Sequence, residues 1–420
     1  MPTLDYREYV ATWQGVADAG FADLNLDVWA GGWRYLSLTA VCLSGPELRQ
    51  LQDVVACFGP LLDRAVDGIL ADPDWWSALA WPWPALEMAR QEPRHPRGRA
   101  SLYGRFDCLL DLDGTWQVIE YNADTPSGGR ESAGLEPTLA RLQPDLHPTS
   151  RGLRQRLVTS LLSRIAAQPG PVHRVGIISS HSWLEDMAQA TWLGHLLEAA
   201  GQPVVVGDIN DLAQRGKHMT LRGSVIDALY RFYPVERLYR HASFAGLSEA
   251  VLDGQILLLN GLRGFLAQSK ACLAWLWANR ATLGAHAQAA IEQHLPMTVL
   301  ARDPAAAALL PNAVVKHVNG REGDSVVFGA ILDQLGWERR LLEGGYVVQQ
   351  TVKSVPLEDV VVDDWAERVD VVAPRFACVG AFSIGGRFGG CYTRLDGPIT
   401  RARATYAPTL VAGRAAVPAR

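Results

Sequence analysis

The stretch "GRFDCLLDLDGTWQVIEYNADTPSGG", residues 104–129, decides the fold, because the hydrophobic pattern changes there from a helical period to an alternating one. Two short apolar runs flank "DLDGT", and an Asp-Gly pair between such runs predicts a β-hairpin. Arg105 and Asp107 lie on the first predicted strand. Glu120 and Asn122 lie on the second, with the same two-residue spacing. Side chains two apart in a strand share a face, so all four can face one cleft if the register allows it.

The end of this hairpin is rich in oxygen-bearing side chains. Glu120, Asn122 and Asp124 alternate along "IEYNAD", and only Arg105 and Arg130 supply positive charge nearby in the sequence. Like charges this close repel, so either solvent separates the groups or a metal ion joins them. Carboxylate and amide oxygens are ligands that Mg²⁺ takes in proteins. A magnesium site and a solvated polar cluster are both open from these residues alone.

Composition indicates a soluble globular protein of two or three domains, with 420 residues, 48% hydrophobic and 20% charged. A net charge of −5 with mixed signs throughout argues against nucleic-acid and anionic-membrane partners. The six cysteines include no C-x-x-C pair, which argues against a zinc ribbon and a disulfide framework. Neither a secretory signal nor an apolar run of about 18 residues is present. We therefore expect a cytoplasmic protein without a membrane span.

The chain divides into four predicted regions. They are a helical N-terminal segment (1–100), a region that begins with the hairpin (101–170), an α/β region (171–295) and a β-rich C-terminal part (296–420). In the third region, short apolar runs alternate with helical patterns, which predicts a small parallel sheet layer.

Two features of the first region make further predictions. Ser44 and Glu47 have the spacing of a capping box and predict the start of a long helix. The tryptophan-rich stretch "WWSALAWPWPALEMAR", residues 75–90, fits either a binding surface or packing at a domain seam. Packing is the commoner role of such clusters.

A second candidate site is the glycine-rich stretch "VVKHVNGREGDSVVFG", residues 314–329. Lys316 ends an apolar run, and Gly320 and Gly323 follow in a predicted turn between two strands. This is not a Walker A motif, but a glycine hairpin with a lysine can cover a triphosphate. Taken alone, it fits an ordinary tight hairpin better than a phosphate cover. Combined with the oxygen cluster at the first hairpin, it describes a nucleotide–magnesium site.

Other catalytic patterns are missing from the sequence. It contains no G-x-S-x-G elbow and no H-E-x-x-H zinc motif, and "GGRFGG" (385–390) does not fit the dinucleotide fingerprint. His181 and His317 are therefore expected to be structural or exposed.

Several stretches in order resemble the glutathionylspermidine synthase family: "YGRFDCLLDLDGTWQVIEYNADTPSGGRESAG", "FLAQSKACLAWLW", "VVKHVNGREGDSVVFG", "YVVQQTV" and "ACVGAFSIGGRFGGCYTRLDGPIT". The resemblance runs from about residue 100 to residue 410. It implies an α/β (α+β) protein with an ATP-grasp fold, preceded by a small parallel α/β layer, the pre-ATP-grasp layer. It also implies ATP and Mg²⁺ as cofactors and ligation of an amino acid or peptide carboxylate to an amine.

The resemblance also implies roles for residues at matching positions. Arg105 and Arg394 resemble the family's catalytic arginines, and Asp107, Glu120 and Asn122 resemble its magnesium ligands. The ATP-binding positions are Arg105, Lys270, Lys316, Gly320, Arg321, Glu322, Gly323, Gln350, Thr351 and Val352. The substrate-binding positions are Thr125, Ser127, Glu185, Asp186 and Glu236. A solvated helix face explains Glu185 and Asp186 nearly as well, and Asp124 is expected to be structural.

Three departures from the family pattern bear on the substrates. The chain begins too close to the "GRFD" strand for the amidase domain of bifunctional members, so no deconjugating activity is expected. Gly128 stands where a cysteine is frequent in the peptide pocket, and His317 replaces a common proline.

The implied reaction proceeds through an acylphosphate and releases ADP and phosphate. Its substrates are a small carboxylate and an amine such as a polyamine, as in the family's founding pair of glutathione and spermidine. An ATP-binding protein without ligase activity and a phosphotransferase are the alternatives.

Overall fold

We describe the fold from a computed structural model, which covers residues 5–24, 29–30, 33–92, 100–143 and 145–412. The first four residues, which belong to the stretch inspected for a secretory signal, lie outside these ranges, as do residues 93–99 of the predicted helical segment. In the described ranges no helix is long and apolar enough to cross a membrane.

Helices and strands alternate along the described chain. The helices are α1 Tyr6–Leu24, α2 Gly45–Ala71, α3 Pro73–Trp76, α4 Trp83–Gln91, α5 Gly129–Leu142, α6 Leu153–Ala166, α7 Leu184–Ala199, α8 Val235–Leu238, α9 Phe244–Leu252, α10 Leu262–Gln268, α11 Lys270–Asn279, α12 Ala285–His294, α13 Ala305–Leu309 and α14 Gln334–Glu343. The strands are β1 Trp29–Ala30, β2 Trp33–Arg34, β3 Val41–Leu43, β4 Tyr103–Leu110, β5 Trp116–Asn122, β6 Leu146–Pro148, β7 Val175–Ser179, β8 Val204–Asp208, β9 Leu212–Arg215, β10 His218–Leu221, β11 Ser224–Ile226, β12 Ala228–Arg231, β13 Leu257–Leu259, β14 Thr298–Leu300, β15 Ala313–His317, β16 Val327–Phe328, β17 Tyr346–Gln350, β18 Pro356–Asp363, β19 Arg368–Ile384, β20 Arg387–Asp396, β21 Thr405–Ala407 and β22 Thr409–Ala412.

The long helix α2 begins where the sequence predicts. The Ser44 hydroxyl accepts a hydrogen bond from the Glu47 backbone N–H at 3.3 Å, and the Glu47 carboxylate accepts one from the Ser44 N–H at 2.6 Å. This reciprocal pair is the predicted capping box, which satisfies two N–H groups that the helix leaves unpaired.

Most of the tryptophan-rich stretch packs inward. Trp81 stacks on Phe265 with ring centroids 4.4 Å apart, and Trp75 and Trp76 pack against the main hydrophobic core. Trp83 contacts Trp76 but stays 57% exposed. The packing interpretation therefore accounts for three of the tryptophans.

Strands β4 and β5 form the predicted antiparallel hairpin. They belong to a six-stranded sheet of order β21-β20-β19-β4-β5, in which β18 also pairs with β19. Hence the hairpin and the C-terminal part of the chain build one sheet. The region boundaries near residues 100, 170 and 295 stay a prediction.

The two remaining large sheets come from the segments between the hairpin and the C-terminal strands. Strands β13, β12, β7 and β8 pair in that order, all parallel, which confirms the predicted α/β layer. Strands β14, β17, β15 and β16 form an antiparallel sheet, in which β15 and β16 enclose the predicted glycine turn. The architecture is the predicted α/β (α+β) fold.

The hairpin presents one face to the core and the other to a cleft. Phe106, Cys108 and Val118 are fully buried against α2, where Phe58 meets the Phe106 ring edge-on at 6.3 Å. On β4, Arg105 and Asp107 alternate with Phe106 and Cys108. Arg105 and Asp107 are charged, and their side chains lie on the opposite face of the strand. This alternation is how the sheet positions charged side chains without breaking the core.

Candidate active site

A β-bulge in the second strand of the hairpin turns the side chains of Glu120 and Asn122 toward the cleft. Asp107 pairs with Glu120, but Cys108 pairs with Val118, so Ile119 is the extra residue. In a regular strand without this bulge, Glu120 would share the core-facing side of Val118, since side chains two residues apart lie on one face. The bulge therefore places Glu120 and Asn122 opposite Asp107 and Arg105, as the spacing predicts.

A cleft of about 1130 Å³ lies over this face of the hairpin. Every site residue expected from the family resemblance lines it, except Lys270 and Gly320, which contact each other next to Glu120. The sheet and the flanking layers thus bring together residues that are up to 289 positions apart (Arg105 and Arg394).

Asp107 is the centre of a charged network at the cleft floor. Arg105 donates to it from Nε at 2.6 Å and from Nη2 at 3.0 Å, and Arg394 donates at 3.1 Å. The Asn122 amide adds a bond at 3.0 Å. Burial alone would raise the pKa of Asp107, but the two guanidinium groups outweigh it and hold this pKa below its ordinary value. Asp107 is therefore ionised and fixes both arginines.

Two buried lysines lie on the other side of Glu120. Lys270 Nζ is 3.3 Å from the Glu120 carboxylate and donates to the Gly320 carbonyl at 2.8 Å. Lys316 Nζ donates to Gln349 Oε1 at 2.7 Å and to the carbonyl of the bulge residue Ile119 at 3.4 Å. Burial lowers the pKa of Lys316 to about 8, and the nearby Lys270 adds to this, while Glu120 opposes it.

The centre of the cleft carries excess positive charge. Four cationic side chains, those of Arg105, Lys270, Lys316 and Arg394, face two carboxylates, those of Asp107 and Glu120, and the arginine and lysine groups are largely buried. Buried charge without a counter-ion is costly, so this arrangement fits an anionic ligand such as a polyphosphate.

The oxygen donors beside these cations fit a hard divalent cation. Among the described residues, only Arg105 Nε donates a hydrogen bond to Asp107 Oδ1, so this oxygen retains acceptor capacity. Within the described ranges the Asn122 amide oxygen accepts no hydrogen bond, since this amide engages Asp107 through its nitrogen. Together with Glu120 these are oxygen ligands of the kind Mg²⁺ takes. No group of three or more His, Cys, Asp or Glu suited to a metal is found among the residues that the structure describes.

The glycine turn between β15 and β16 closes over this region. Glu322, Gly323 and Ser325 have positive φ angles of 53°, 69° and 69°. A Cβ at Gly323 would lie 2.4 Å from the Thr400 carbonyl oxygen, so only glycine fits there. Arg321 does not extend along the cleft floor but forms ion pairs with Asp124 and Glu236 and donates to Thr125 Oγ1 at 3.2 Å.

Asp124 is buried and structural, as the sequence suggests. Its carboxylate, 1% exposed, pairs with the fully buried Arg231 as well as with Arg321, and accepts a bond from the Val235 N–H at 3.3 Å. It therefore ties the hairpin to the parallel layer and to the glycine turn.

The far end of the cleft is lined by β17 and the residues after it. Gln350, Thr351 and Val352 lie there next to the apolar side chains of Val314 and Phe328. The backbone N–H of Gln350 donates a hydrogen bond to the Met297 carbonyl, and that of Thr351 donates one to the Asn312 carbonyl, at 2.8 Å each.

The opposite end of the cleft is acidic and aromatic. Thr125, Ser127, Glu185, Asp186 and Glu236 line it. The Ser127 carbonyl accepts a bond from Arg105 at 2.9 Å, so this end begins directly beside the charged network. Burial raises the pKa of Asp186 to about 6, and the neighbouring Glu185 adds to the rise.

Sequence reasoning missed several residues of this end, among them Tyr35, Glu131, Trp183, Gln189, Arg237 and Tyr392. One signal was available for Tyr392, which is two residues from Arg394 on β20 and so shares its face. The Arg105 guanidinium lies 5.0 Å from the Tyr392 ring centre, and the Tyr392 hydroxyl is hydrogen-bonded to that of Tyr35.

Tyr392 also explains the glycine at position 128. Gly128 has a φ of +94°, and a Cβ there would lie 2.4 Å from the tyrosine ring. A side chain at this position is therefore excluded both by the backbone conformation and by the ring.

The chain matches a family described as glutathionylspermidine synthase pre-ATP-grasp, over residues 12–412. It belongs to the glutathionylspermidine synthase family. The match extends the resemblance seen in the sequence to nearly the whole chain. Membership of this family supports a ligase in general.

Two solved structures are similar to this member of the family. A glutathione synthetase-like effector from Globodera pallida, in its apo form, has 12% sequence identity and a TM-score of 0.62, and the alignment covers 96% of this chain and 97% of that one. This similarity shows the fold. A candidate gamma-glutamylcysteine synthetase from Methylobacillus flagellatus has 12% identity and a TM-score of 0.43, covering 84% and 86% of the two chains. No curated protein matches the sequence.

Proposed function

We propose that this protein is an ATP-dependent carboxylate–amine ligase, which forms an amide bond through an acylphosphate and releases ADP and phosphate. The observation that carries the proposal is the charge distribution of the cleft. At its centre, three basic side chains that line the cleft, with Lys270 beside Glu120, surround two carboxylates, between an apolar end and an acidic end. This order suits a nucleotide, its phosphates and a cationic substrate placed one after another.

The carboxylate substrate needs activation, because its oxygen is a poor leaving group. Transfer of the terminal phosphoryl group of ATP to that oxygen forms an acylphosphate and ADP, and the oxygen then leaves as part of phosphate when the amine attacks the carbonyl carbon. Arg105 is placed for this step, since its planar guanidinium suits a carboxylate first and the oxyanion of the tetrahedral intermediate later. Asp107 keeps it fixed at 2.6 Å, so little reorganisation is needed.

The remaining charged residues act on the phosphates. Arg394, Lys270 and Lys316 neutralise their charge, and Asp107, Glu120 and Asn122 are the residues that would hold Mg²⁺. When bound, Mg²⁺ would neutralise part of the negative charge of the phosphates. The turn from Gly320 to Gly323 covers the site and excludes water, which would otherwise hydrolyse the acylphosphate.

The apolar end is assigned to the adenine ring and the acidic end to the second substrate. Gln350, Thr351 and Val352 would contact the base, and Thr125 and Ser127 the acyl substrate. Glu185, Asp186 and Glu236 would hold ammonium groups. Of these, Glu236 already pairs with Arg321, so it is available to an ammonium group only when this arginine turns toward the phosphates.

The proposal is tested by measuring ADP release against panels of carboxylates and amines, with glutathione and spermidine as one pair. Release that needs both substrates, together with an amide product in mass spectrometry, supports ligation. Glu120→Ala and Lys316→Ala should each lower the rate of ADP release about 10²–10³-fold, the scale of one electrostatic contact in a transition state. Lys217→Ala, at an exposed lysine outside the cleft, is the matched control.

Other results refute the proposal in distinguishable ways. ATP binding without turnover for any pair identifies a binding protein. ADP release with a stable phosphorylated product and no amide identifies a phosphotransferase. Full turnover in both cleft variants shows that the site lies elsewhere.

A further inference from the structure

Glu136 is a fully buried acid in α5, outside the cleft, and it forms no ion pair with any residue of the described ranges. Its carboxyl group accepts three kinds of hydrogen bond from other parts of the chain. The Ser150 N–H donates at 2.9 Å, the Thr149 hydroxyl at 3.2 Å and the Thr409 N–H at 3.4 Å. Burial raises the pKa of Glu136 to about 8, although these bonds oppose the rise. One buried group thus joins α5 to the segment before α6 and to β22.

The two threonines connect this carboxyl group to β20. Thr149 Oγ1, which donates to the acid, also accepts a hydrogen bond from the Cys391 N–H at 3.0 Å. The Thr409 hydroxyl is hydrogen-bonded to the Thr393 hydroxyl at 2.6 Å. Cys391 and Thr393 are the two neighbours of Tyr392 in the chain. The buried acid is therefore linked to β20 on both sides of this tyrosine.

The linked part of β20 is irregular. Cys391 pairs with Ala381 of β19 and Phe388 pairs with Ser383, so the two residues 389–390 stand opposite a single residue. Such a bulge interrupts the hydrogen-bond ladder between the strands. Both bulged residues are glycines, which bring no side chain to hold the backbone. The contact from the Cys391 N–H to a threonine hydroxyl therefore fixes the strand where the ladder does not.

The other face of the same stretch of β20 lies in the cleft, because side chains alternate along a strand. There the Tyr392 ring centre lies 5.0 Å from the Arg105 guanidinium. The Arg394 side chain donates to Asp107 at 3.1 Å. A shift of β20 would move both contacts at once. Displacements of about 1 Å can lower an enzymatic rate about 10²-fold, so the position of this strand matters for the proposed reaction.

We propose that Glu136 is a positioning residue of the reaction: through its two threonine contacts it fixes β20 on both sides of Tyr392 and so holds the two arginines of the cleft floor in place. This inference rests on the proposed function and adds a group that touches neither nucleotide nor substrate. The acids Glu185 and Asp186, assigned to the amine, lie on α7 and outside these contacts. A substitution among the contacts should therefore slow the reaction and spare amine binding.

Steady-state kinetics of amide formation tests the proposal with a matched pair of variants. Thr149→Val keeps the shape of the side chain but removes the hydroxyl, and Thr149→Ser keeps the hydroxyl. At saturating ATP we expect Thr149→Val to lower kcat about tenfold or more and to change the amine KM less than about twofold. Thr149→Ser should keep kcat within about threefold. Thr220→Val, which removes a buried hydroxyl that donates to the Ala213 carbonyl at 3.1 Å in the separate sheet of β9, β10 and β11, is the control and should change neither constant.

The acid itself is tested with Glu136→Met, which removes both acceptor oxygens, and Glu136→Gln, which keeps one. The first should lower kcat in the same way as Thr149→Val, and the second should restore part of the rate. Because Glu136→Met can also unfold the chain, the Thr149 pair decides. An unchanged kcat in Thr149→Val, an equal loss in Thr149→Ser, or a rise of the amine KM as large as the fall of kcat overturns the proposal.

Hydrogen exchange tests the same contacts without any substrate. In Thr149→Val the Cys391 N–H loses its acceptor, so this amide should exchange about fivefold to tenfold faster, the scale of one net hydrogen bond. Mass spectrometry of peptides from residues 387–396 measures the change, and Thr220→Val should exchange as the wild type does. Equal exchange in Thr149→Val and wild type overturns the positioning of β20. A wild type that forms no amide refutes the proposed function, and the exchange rates then decide the positioning alone.

Discussion

Lys316 should make nucleotide binding depend on pH in a way that one substitution removes. Its amine is 6% exposed, and burial lowers its pKa to about 8 from an ordinary 10.5. Phosphates placed beside the amine would favour the charged form and raise this pKa again. Binding above pH 8 must therefore take up a proton.

The size of the proton uptake on ATP binding is set by the pKa of about 8 of Lys316. Free Lys316 is about nine-tenths protonated at pH 7 and about one-tenth at pH 9, so ATP binding should take up about 0.1 proton at pH 7 and about 0.9 at pH 9. ATP affinity should fall about thirtyfold between pH 7 and pH 9.5 if the bound pKa stays above 10.

The assay is calorimetric titration with ATP in buffers of different ionisation enthalpy. Lys316→Met should bind more weakly at pH 7 and should lose the proton uptake at pH 9, while Lys217→Met keeps both. A wild type without uptake at pH 9, or an uptake that survives in Lys316→Met, would refute the assignment of this lysine to the phosphates.

The same shift has a consequence for the stability of the free protein. The folded pKa lies below the unfolded one, so the unfolded chain holds more protons between pH 8 and 10.5. Below pH 8 the buried amine is charged, and its burial lowers the free energy of unfolding by the full amount. This loss of stability disappears as the pH rises to 10.5. The wild type should gain roughly 3 kcal/mol relative to Lys316→Met across this window, measured by urea unfolding.

Three further predictions concern other parts of the cleft. Asp124→Asn leaves the fully buried Arg231 without a carboxylate and should lower the free energy of unfolding by about 3–5 kcal/mol; a loss below about 1 kcal/mol in urea titrations would contradict the structural role. Gly128→Ala places a methyl group against an aromatic ring at a positive φ and should lower kcat/KM at least about tenfold. Gly170→Ala, at an open position, is its control, and equal kinetics in the two variants would count against the close approach. Because the pKa of Asp186 is about 6, the KM for the amine should fall as the pH rises from 5 to 7, and Asp186→Asn should flatten this profile if the carboxylate binds the cation.

Local patterns predicted the hairpin, the capping box and the parallel layer. In each case the signal is a short-range one: an Asp-Gly turn, a three-residue cap spacing, or an alternation of apolar runs and helices. The polar face of the hairpin was also predictable from the two-residue spacing. The Ile119 bulge was not, although it is what turns Glu120 toward the cleft.

The charge partners could not be predicted from neighbouring residues. Near the hairpin the sequence offers only two arginines to three oxygen-bearing groups, which suggests repulsion. The fold supplies the missing cations from far along the chain: Arg394 reaches Asp107, and Lys270 reaches Glu120. Such contacts depend on how sheets and layers pack together, and no local pattern encodes them.

Glu131 is the clearest residue that sequence reasoning overlooked. It stands in the stretch "GGRESAG" directly after the hairpin, where an acid in the first turn of a helix is ordinary. Its burial and its hydrogen bond from Gln189 become visible only when α7 and the cleft are in place.

The central claim is that a carboxylate is activated by phosphoryl transfer from ATP, and an isotope label tests it most directly. Glutathione labelled with ¹⁸O in its carboxylates is incubated with ATP and spermidine, or the corresponding pair that releases ADP fastest. An acylphosphate mechanism predicts that one labelled oxygen appears in each phosphate released, as measured by mass spectrometry. Unlabelled phosphate accompanying amide formation would contradict the mechanism.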